Sequence, residues 1–369
     1  MNEAKDNFAA RLFPGLRLQL KTRRGRVVLL ALVLLLIFIV LVSADKGAVE
    51  ITQKQIFAIV LKNFGVHLPY DFTAQQEATL IDIRLPRIAL GLLVGAALGI
   101  SGAAMQGLFR NPLADPSLVG ISSGAALAAT FVVIVGDAVS YSLPAVFQLF
   151  AFPVFAFLGA LITTLIIYRL ATIAGQTVVS TLLLAGIAIN ALAQAFSGFL
   201  TFYATDTQIR SLTFWKLGSL GGGNWTTILA IAPFVLIPIF YFPRLARPLN
   251  ALLLGESEAG HIGFDIERVK KLTIVLVALS VGASVAFTGL ITFVGLVVPH
   301  LLRLIIGPDH RYLLPGSALL GACLLLAADL TARTLVSPAE MPIGVLTAIV
   351  GAPFFLWLLL RDRKWRVIH

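Results

Sequence analysis

Between Ile88 and Phe109 the chain reads IALGLLVGAALGISGAAMQGLF, with no charged residue. That is near the ~20 residues a helix needs to cross the hydrocarbon core of a membrane. Gly91, Gly95, Gly99, Gly102, Ala103 and Gly107 recur every three or four positions, gathering small residues on one helical face so that a neighbouring backbone can approach closely. Arg84 and Arg87 flank the Leu-Pro that opens the run. Pro112 and Pro116 bracket the turn that ends it, because a proline lacks the amide donor and clashes with the preceding turn.

Comparable runs fill the 369 residues. With 58% hydrophobic and 12% charged residues and a mean hydropathy of +0.94, the chain lies far from soluble domains, where about 25% of residues are charged. It reads as an all-α, polytopic membrane protein. The single Cys323 excludes an internal disulfide and sits in an apolar run as a small packing residue. The net charge of +10 needs no nucleic-acid partner, since basic residues in a membrane protein mark the side a loop faces.

Ten spans are expected, near 27–42, 88–108, 117–135, 144–168, 178–203, 228–243, 269–286, 290–306, 313–333 and 342–360. Residues 1–26 form a basic cytoplasmic segment, 27–360 the ten-span domain and 361–369 a cytoplasmic tail. Val42-Ser43-Ala44 resembles a signal-peptide cleavage site, but the basic region ahead of it is too long and the topology needs the span. Residues 45–83 read as an extracytoplasmic loop with a short helix or two. The uncharged stretch 272–299 is divided by charge: counted as two helices hinged near Gly282–Gly289, it leaves most of the 28 Lys and Arg residues on the side of both termini.

Chemistry inside the spans is sparse. A gradient-driven carrier usually needs a titrating group in the membrane, and Asp329 is the one clear intramembrane carboxylate, placed to pair with Arg333 four residues on. No G-x-x-x-x-G-K-[ST] loop is present for ATP. No paired carboxylates or Ser/His constellation suggest an intramembrane enzyme, and the five histidines do not fall at metal-ligand spacing, so no metal site is expected. The energy source is therefore expected outside this chain.

Other segments leave two readings open. Asn250–Lys271 holds an amphipathic helix that either docks a partner or lies on the membrane surface. Arg84, Arg87 and Arg333 either snorkel to headgroups or meet a partner's carboxylates. Asn111 caps the turn before Pro112. Asn190, Gln194 and Ser197 form a mildly polar stripe that faces either a water-filled cavity or a neighbouring helix. Arg210, Phe214 and Trp215 offer a cation and flat apolar surface to a macrocycle, or belong to an interfacial aromatic belt.

The succession RLPR, G-x-x-L-x-x-S-G-x-x-x-Q and NPLADPxLxGxxxGA resembles the signature of the FecCD-type permeases, membrane subunits of ABC importers for haem, ferric siderophores and cobalamin, and the match returns at 252–263, 288–300 and 329–353. TDTQIRSLTFWKLGSL is most similar to the haem-importer branch. The resemblance implies a type II importer fold with ten transmembrane helices, a homodimer in the bacterial inner membrane with both termini cytoplasmic, and a path at the dimer interface. It further implies two separate ATPase subunits carrying ATP-Mg, a periplasmic haem-binding protein, haem as transported substrate, and no cofactor or enzymatic activity in this chain. By the same resemblance, Arg84, Arg87 and Arg333, the last ahead of an E-x-P-x-G motif at Glu340, Pro342 and Gly344, dock the binding protein. Leu254, Gly255, Glu256, Ala259 and Gly263, within a coupling helix at about 252–263, contact the ATPase, and Asn111, Leu113, Val179 and Ser180 form the cytoplasmic gate. Asn190, Gln194, Ser197, Arg210, Phe214 and Trp215 line the pathway.

Overall fold

In hydrocarbon each segment has to satisfy its own backbone polar groups, and this chain does so almost entirely with helices. The computed structural model describes residues 14–140, 145–335 and 340–367. In chain order the helices are α1 (Pro14–Asp45), α2 (Gln53–Lys62), α3 (Ala74–Ala78), α4 (Leu85–Leu108), α5 (Ile121–Ser140), α6 (Ala145–Ala171), α7 (Val179–Phe202) and α8 (Asp206–Leu217). They continue as α9 (Trp225–Tyr241), α10 (Ala246–Leu252), α11 (Glu256–His261), α12 (Ile266–Thr288), α13 (Val294–Ile306), α14 (His310–Leu335) and α15 (Ile343–Val367). A two-residue hairpin, β1 (Thr172–Ile173) with β2 (Gln176–Thr177), joins α6 to α7. Among the described residues seven helices are long and apolar enough to cross a membrane, and three shorter apolar ones, within α5, α13 and α15, stand beside them where the remaining spans were expected.

The short helices outside the spans start on local chemistry. Thr52 with Gln55, Thr73 with Gln76, and Thr205 with Gln208 each form a capping box, in which the threonine hydroxyl and the glutamine amide answer each other's backbone N–H groups. α3 runs through a π-helical stretch, Thr79–Arg84, directly into α4.

Small residues decide the packing of α4. A Cβ added at Gly95 would lie 2.5 Å from the Gly321 carbonyl oxygen; at Gly99 it would collide with the Ser317 carbonyl, and at Gly102 with that of Gly295. The helix thus lies backbone against backbone on α14 and α13. On another face the Ser101 and Ser280 hydroxyls share a 2.8 Å hydrogen bond to α12. The Gln106 amide donates to the Leu296 carbonyl at 3.1 Å. α4, α12 and α14 are largely buried within the chain, whereas α1, α6, α7 and α9 leave most of their surface outside. Cys323 is buried, its thiol 3.8 Å from the Leu32 carbonyl.

The stretch 272–299 does form two helices, but the break falls at Gly289–Phe293 rather than within Gly282–Gly289. Gly282 is a packing residue inside α12, where a Cβ would press on Ala160 and Phe157. Gly289 takes φ +72 and Phe293 φ +69, and those left-handed conformations end one helix and start the next. With 13 residues α13 rises only about 20 Å, so the non-helical residues ahead of it complete that layer. Successive long helices alternate in direction. One end of the bundle carries α2, α3, α8 and Glu340; the opposite end carries α10, α11 and the hairpin.

A Gly99→Val chain is expected to lose about 3 kcal/mol or more of stability through overpacking against the Ser317 carbonyl, while Gly198→Ala, where nothing lies within 4 Å, is expected to be neutral or better. Thermal unfolding of the detergent-solubilised protein measures both.

Candidate functional site

Three groups of polar residues stand out against the apolar bundle. At the α2 end, Arg87 is 9% exposed and forks between two carboxylates. Its Nη2 lies 2.8 Å from Asp329 Oδ1 and 3.0 Å from Glu340 Oε2, and its Nη1 2.8 Å from Glu340 Oε1. Asp329 also meets the expected partner Arg333, at 3.7 Å, but Arg87 is the closer. Arg333 donates to the carbonyls of Lys46 at 2.9 Å and Ser43 at 2.6 Å. Arg84, 4% exposed, donates to the carbonyls of Ala44, Asp45 and Val49. All three arginines therefore gather at one end, but in the chain alone their donors tie the α1–α2 connection to the start of α4 and to α14, and Glu340, ahead of α15, to α4.

The second group lines a cavity of about 670 Å³ between α5, α7 and the end of α8. Asn190, Gln194 and Ser197 face it together with Ser117, Ser123, Thr201 and Lys216. The stripe also bonds its neighbour: the Ser123 hydroxyl donates to Asn190 Oδ1. Both readings of that stripe hold at once. Lys216 supplies the cavity's one charge among the described lining residues, and the sequence reading passed over it. Arg210 and Phe214 are exposed on α8 and lie outside this lining, while Trp215 turns inward, edge-on to Phe152 with ring centroids 5.5 Å apart. Along α7, Leu184, Ile187, Phe196, Phe199 and Phe202 are exposed, an apolar face that no other helix covers among the described residues.

The third group lies at the α11 end, around a cavity of about 680 Å³ lined by Arg110, Val179, Ser180, Glu256, Glu267 and Lys270 among others. Lys270 is 2% exposed, and its Nζ donates to the Thr177 carbonyl at 2.7 Å, Glu256 at 2.7 Å and Glu267 at 3.0 Å. Asn111 Oδ1 accepts from the Leu113 amide at 2.9 Å, the expected turn cap, and both residues are exposed. α11 spans only six residues, entered from Gly255 at φ +129 and left through Gly263 at φ +98. Leu254 and Ile262 face outward, whereas Ala259 is fully buried, its small side chain letting α11 lie close against the bundle. Among the described residues no group of three or more His, Cys, Asp or Glu could hold a metal.

Arg87→Ala strands the buried Asp329 carboxylate, an expected loss of about 3–5 kcal/mol, and Asp329→Asn in the same chain is expected to recover part of it in thermal unfolding. The Arg87 guanidinium holds Glu340, outside the spans, below its usual carboxylate range. A depressed folded pKa means this contribution is present above the unfolded value of about 4.3 and is lost as pH falls through the lower folded one. Stability measured across that acid window should fall less steeply in Glu340→Gln.

Comparison with known proteins places this arrangement. A family model described as the FecCD transport family matches residues 34–361. The hemin transport system permease protein HmuU of Yersinia pestis is 45% identical over 341 residues, 92% of this chain and 97% of that protein. The cobalamin import system permease protein BtuC of Halobacterium salinarum is 45% identical over 302 residues, 81% of this chain and 78% of its own. A solved structure described as an inward-facing metal-chelate type ABC transporter superposes with a TM-score of 0.77 at 31% identity, covering 90% of this chain and 98% of that one. The glycine-packed helix, the NPL turn and the α10–α11 segment lie inside the matched region, and the chain belongs to the FecCD transport family.

Proposed function

We propose that this permease subunit imports haem across the bacterial inner membrane, as a homodimer joined to two ATPases that bind ATP-Mg and served by a periplasmic haem-binding protein. The single observation that carries the choice of substrate is the cavity lined by Asn190, Gln194 and Ser197, with Lys216 the one charged group among its described lining residues. Haem carries two carboxylates, and a lone ammonium among hydroxyls and amides suits a carboxylate-bearing chelate through charge-assisted hydrogen bonds. Cobalamin presents mostly amides and gains less from that cation. The similarity to HmuU, which extends over nearly the whole of both chains, supports the same choice. The second reading, a cobalamin permease, is favoured by the likeness to BtuC proteins, including one of Escherichia coli O9:H4 at 43% identity over 79% of this chain.

In this reading the α11 end lies in the cytoplasm. The exposed faces of α7 and α8 meet a second copy, so that the path runs between them with Arg210 and Phe214 at its outer mouth and Trp215 bracing α8 from behind. The binding protein docks at the α2 end. Its carboxylates reach Arg87 and Arg333 by exchange with Glu340 and the Lys46 carbonyl, and Arg84 keeps the platform in shape. ATP closes the ATPase dimer, the ATPases hold Leu254, Gly255, Glu256 and Gly263, and the segments around Asn111, Leu113, Val179 and Ser180 open or shut the inner exit.

Uptake into proteoliposomes containing the chain, its ATPase and its binding protein tests this, comparing haem, cobalamin and a ferric siderophore. ATP-dependent accumulation of haem alone is expected, and Lys216→Ala is expected to lower haem uptake about tenfold, as loss of one charge-assisted hydrogen bond would. Accumulation of cobalamin in place of haem would overturn the substrate, and uptake without ATP would overturn the importer.

A further inference from the structure

Lys270 is unusual in this chain. Its ammonium is buried at the α11 end, and each of its three hydrogen bonds goes to a different element. Glu256 opens α11; Thr177 ends the β hairpin two residues before α7 begins; Glu267 belongs to α12, one turn before Lys270 itself. Glu267 closes the loop by accepting from the Thr177 amide at 2.8 Å with its other carboxylate oxygen. These four hydrogen bonds therefore join α11, α12 and the hairpin at one point beside the cavity that Arg110, Val179 and Ser180 line.

We infer that Lys270 is a positioning residue that couples α11 to the hairpin and the first turn of α7, so that a displacement of α11 by the ATPase is delivered to the inner gate. The physics is that of a buried ion group. An ammonium held at 2% exposure has no water to fall back on, and separating it from its carboxylates leaves an uncompensated charge in the bundle. Glu256 and Thr177 consequently move together or not at all. Nothing else at this point is as stiff: α11 is one and a half turns long, with glycines at positive φ on both sides, and the hairpin has only two residues per strand. Without the joint, α11 would swing on Gly255 and Gly263 without carrying the hairpin along. A contiguous chain of ion pairs and hydrogen bonds between two mobile elements is the kind of path that transmits such a displacement.

This inference rests on the importer reading, and one assembly tests both. Lys270→Met is introduced into the chain, reconstituted with its ATPase and binding protein, and ATP hydrolysis is measured beside haem uptake. The expected result is continued hydrolysis, with haem moved per ATP reduced about tenfold, and recovery in Lys270→Arg, which keeps a cation at the joint. Because Lys270→Met leaves Glu267 without its cation, a second variant, Lys270→Met with Glu267→Gln, removes that pair without an unpaired charge there and keeps the half-exposed Glu256 for the ATPase contact. It too is expected to hydrolyse without transporting. Spin labels at Gln176→Cys and His261→Cys, both exposed, give a readout that a merely structural lysine would not move; Cys323, being buried, stays unlabelled. Their separation should stay constant through the ATP cycle in the parent chain and change with nucleotide in either methionine variant. A wild-type ratio of haem to ATP in the double variant, or an unchanged label separation in both methionine variants, would overturn the joint while leaving the importer intact. A parent assembly that takes up haem without hydrolysing ATP would overturn the importer, and the joint with it.

Discussion

The rest of the bundle depends on the contact of α4 with α14 and α13, where carbonyl oxygens sit in the places a methyl group would take at Gly95, Gly99 and Gly102. Lipid tails are as apolar as leucine, so helices in a membrane gain little from hiding hydrophobic side chains from one another and associate through close packing instead. Gly321 and Gly295 reciprocate from the facing helices. That contact fixes a central block of α4, α12, α13 and α14, and the more exposed helices are applied to its outside. A serine pair to α12 and the Gln106 amide add directional bonds that a purely apolar interface would lack.

Charge is placed so as not to disturb that block. The buried charges Arg87 with Asp329 and, at the other end, Lys270 sit at its two ends, each also paired with half-exposed glutamates, Glu340 at one and Glu256 and Glu267 at the other. Buried pairs of this kind add little net stability, but they are expensive to separate, and so they fix which element faces which. At one end the group pins Asp329 of α14 and Glu340, ahead of α15, to α4. At the other it links two short elements on either side of a cavity. Between the two ends the cavity is lined by hydroxyls, amides and, among its described residues, a single ammonium.

The helices were legible because uncharged runs of helix length leave the backbone little choice, and the small-residue stripe on α4 announced a close contact without naming its partner. The α4–α14 pairing was not legible: Arg87 and Asp329 stand 242 positions apart, and the i,i+4 rule pointed to Arg333. Arg87, the one charge in α4, and Asp329, the one carboxylate in α14, were the available signal. The break before α13 was displaced for a similar reason, since Gly282 and Gly289 look alike in sequence and differ only in what they touch. Lys270 was counted as one more basic residue of an inner loop, because its burial comes from a hairpin some 90 positions earlier. The threonine–glutamine spacings ahead of α2, α3 and α8 were readable as helix starts and went unused. Family resemblance supplied what local physics could not, the grouping of the arginines at one end and of the α11 segment at the other.

The partners of the central glycines also set a timetable for biogenesis. α4 emerges early from the ribosome, yet the carbonyls it must nest against belong to residues 295, 317 and 321. Until synthesis is nearly finished, the glycine face of α4 has no mate, and the early helices wait in the bilayer as a loose set. Contacts so distant in sequence form slowly and leave surfaces open meanwhile. A chain truncated before α14 would therefore lose far more than its last helices: the first bundle would never close, and such a fragment would be a substrate for membrane quality control rather than a smaller transporter.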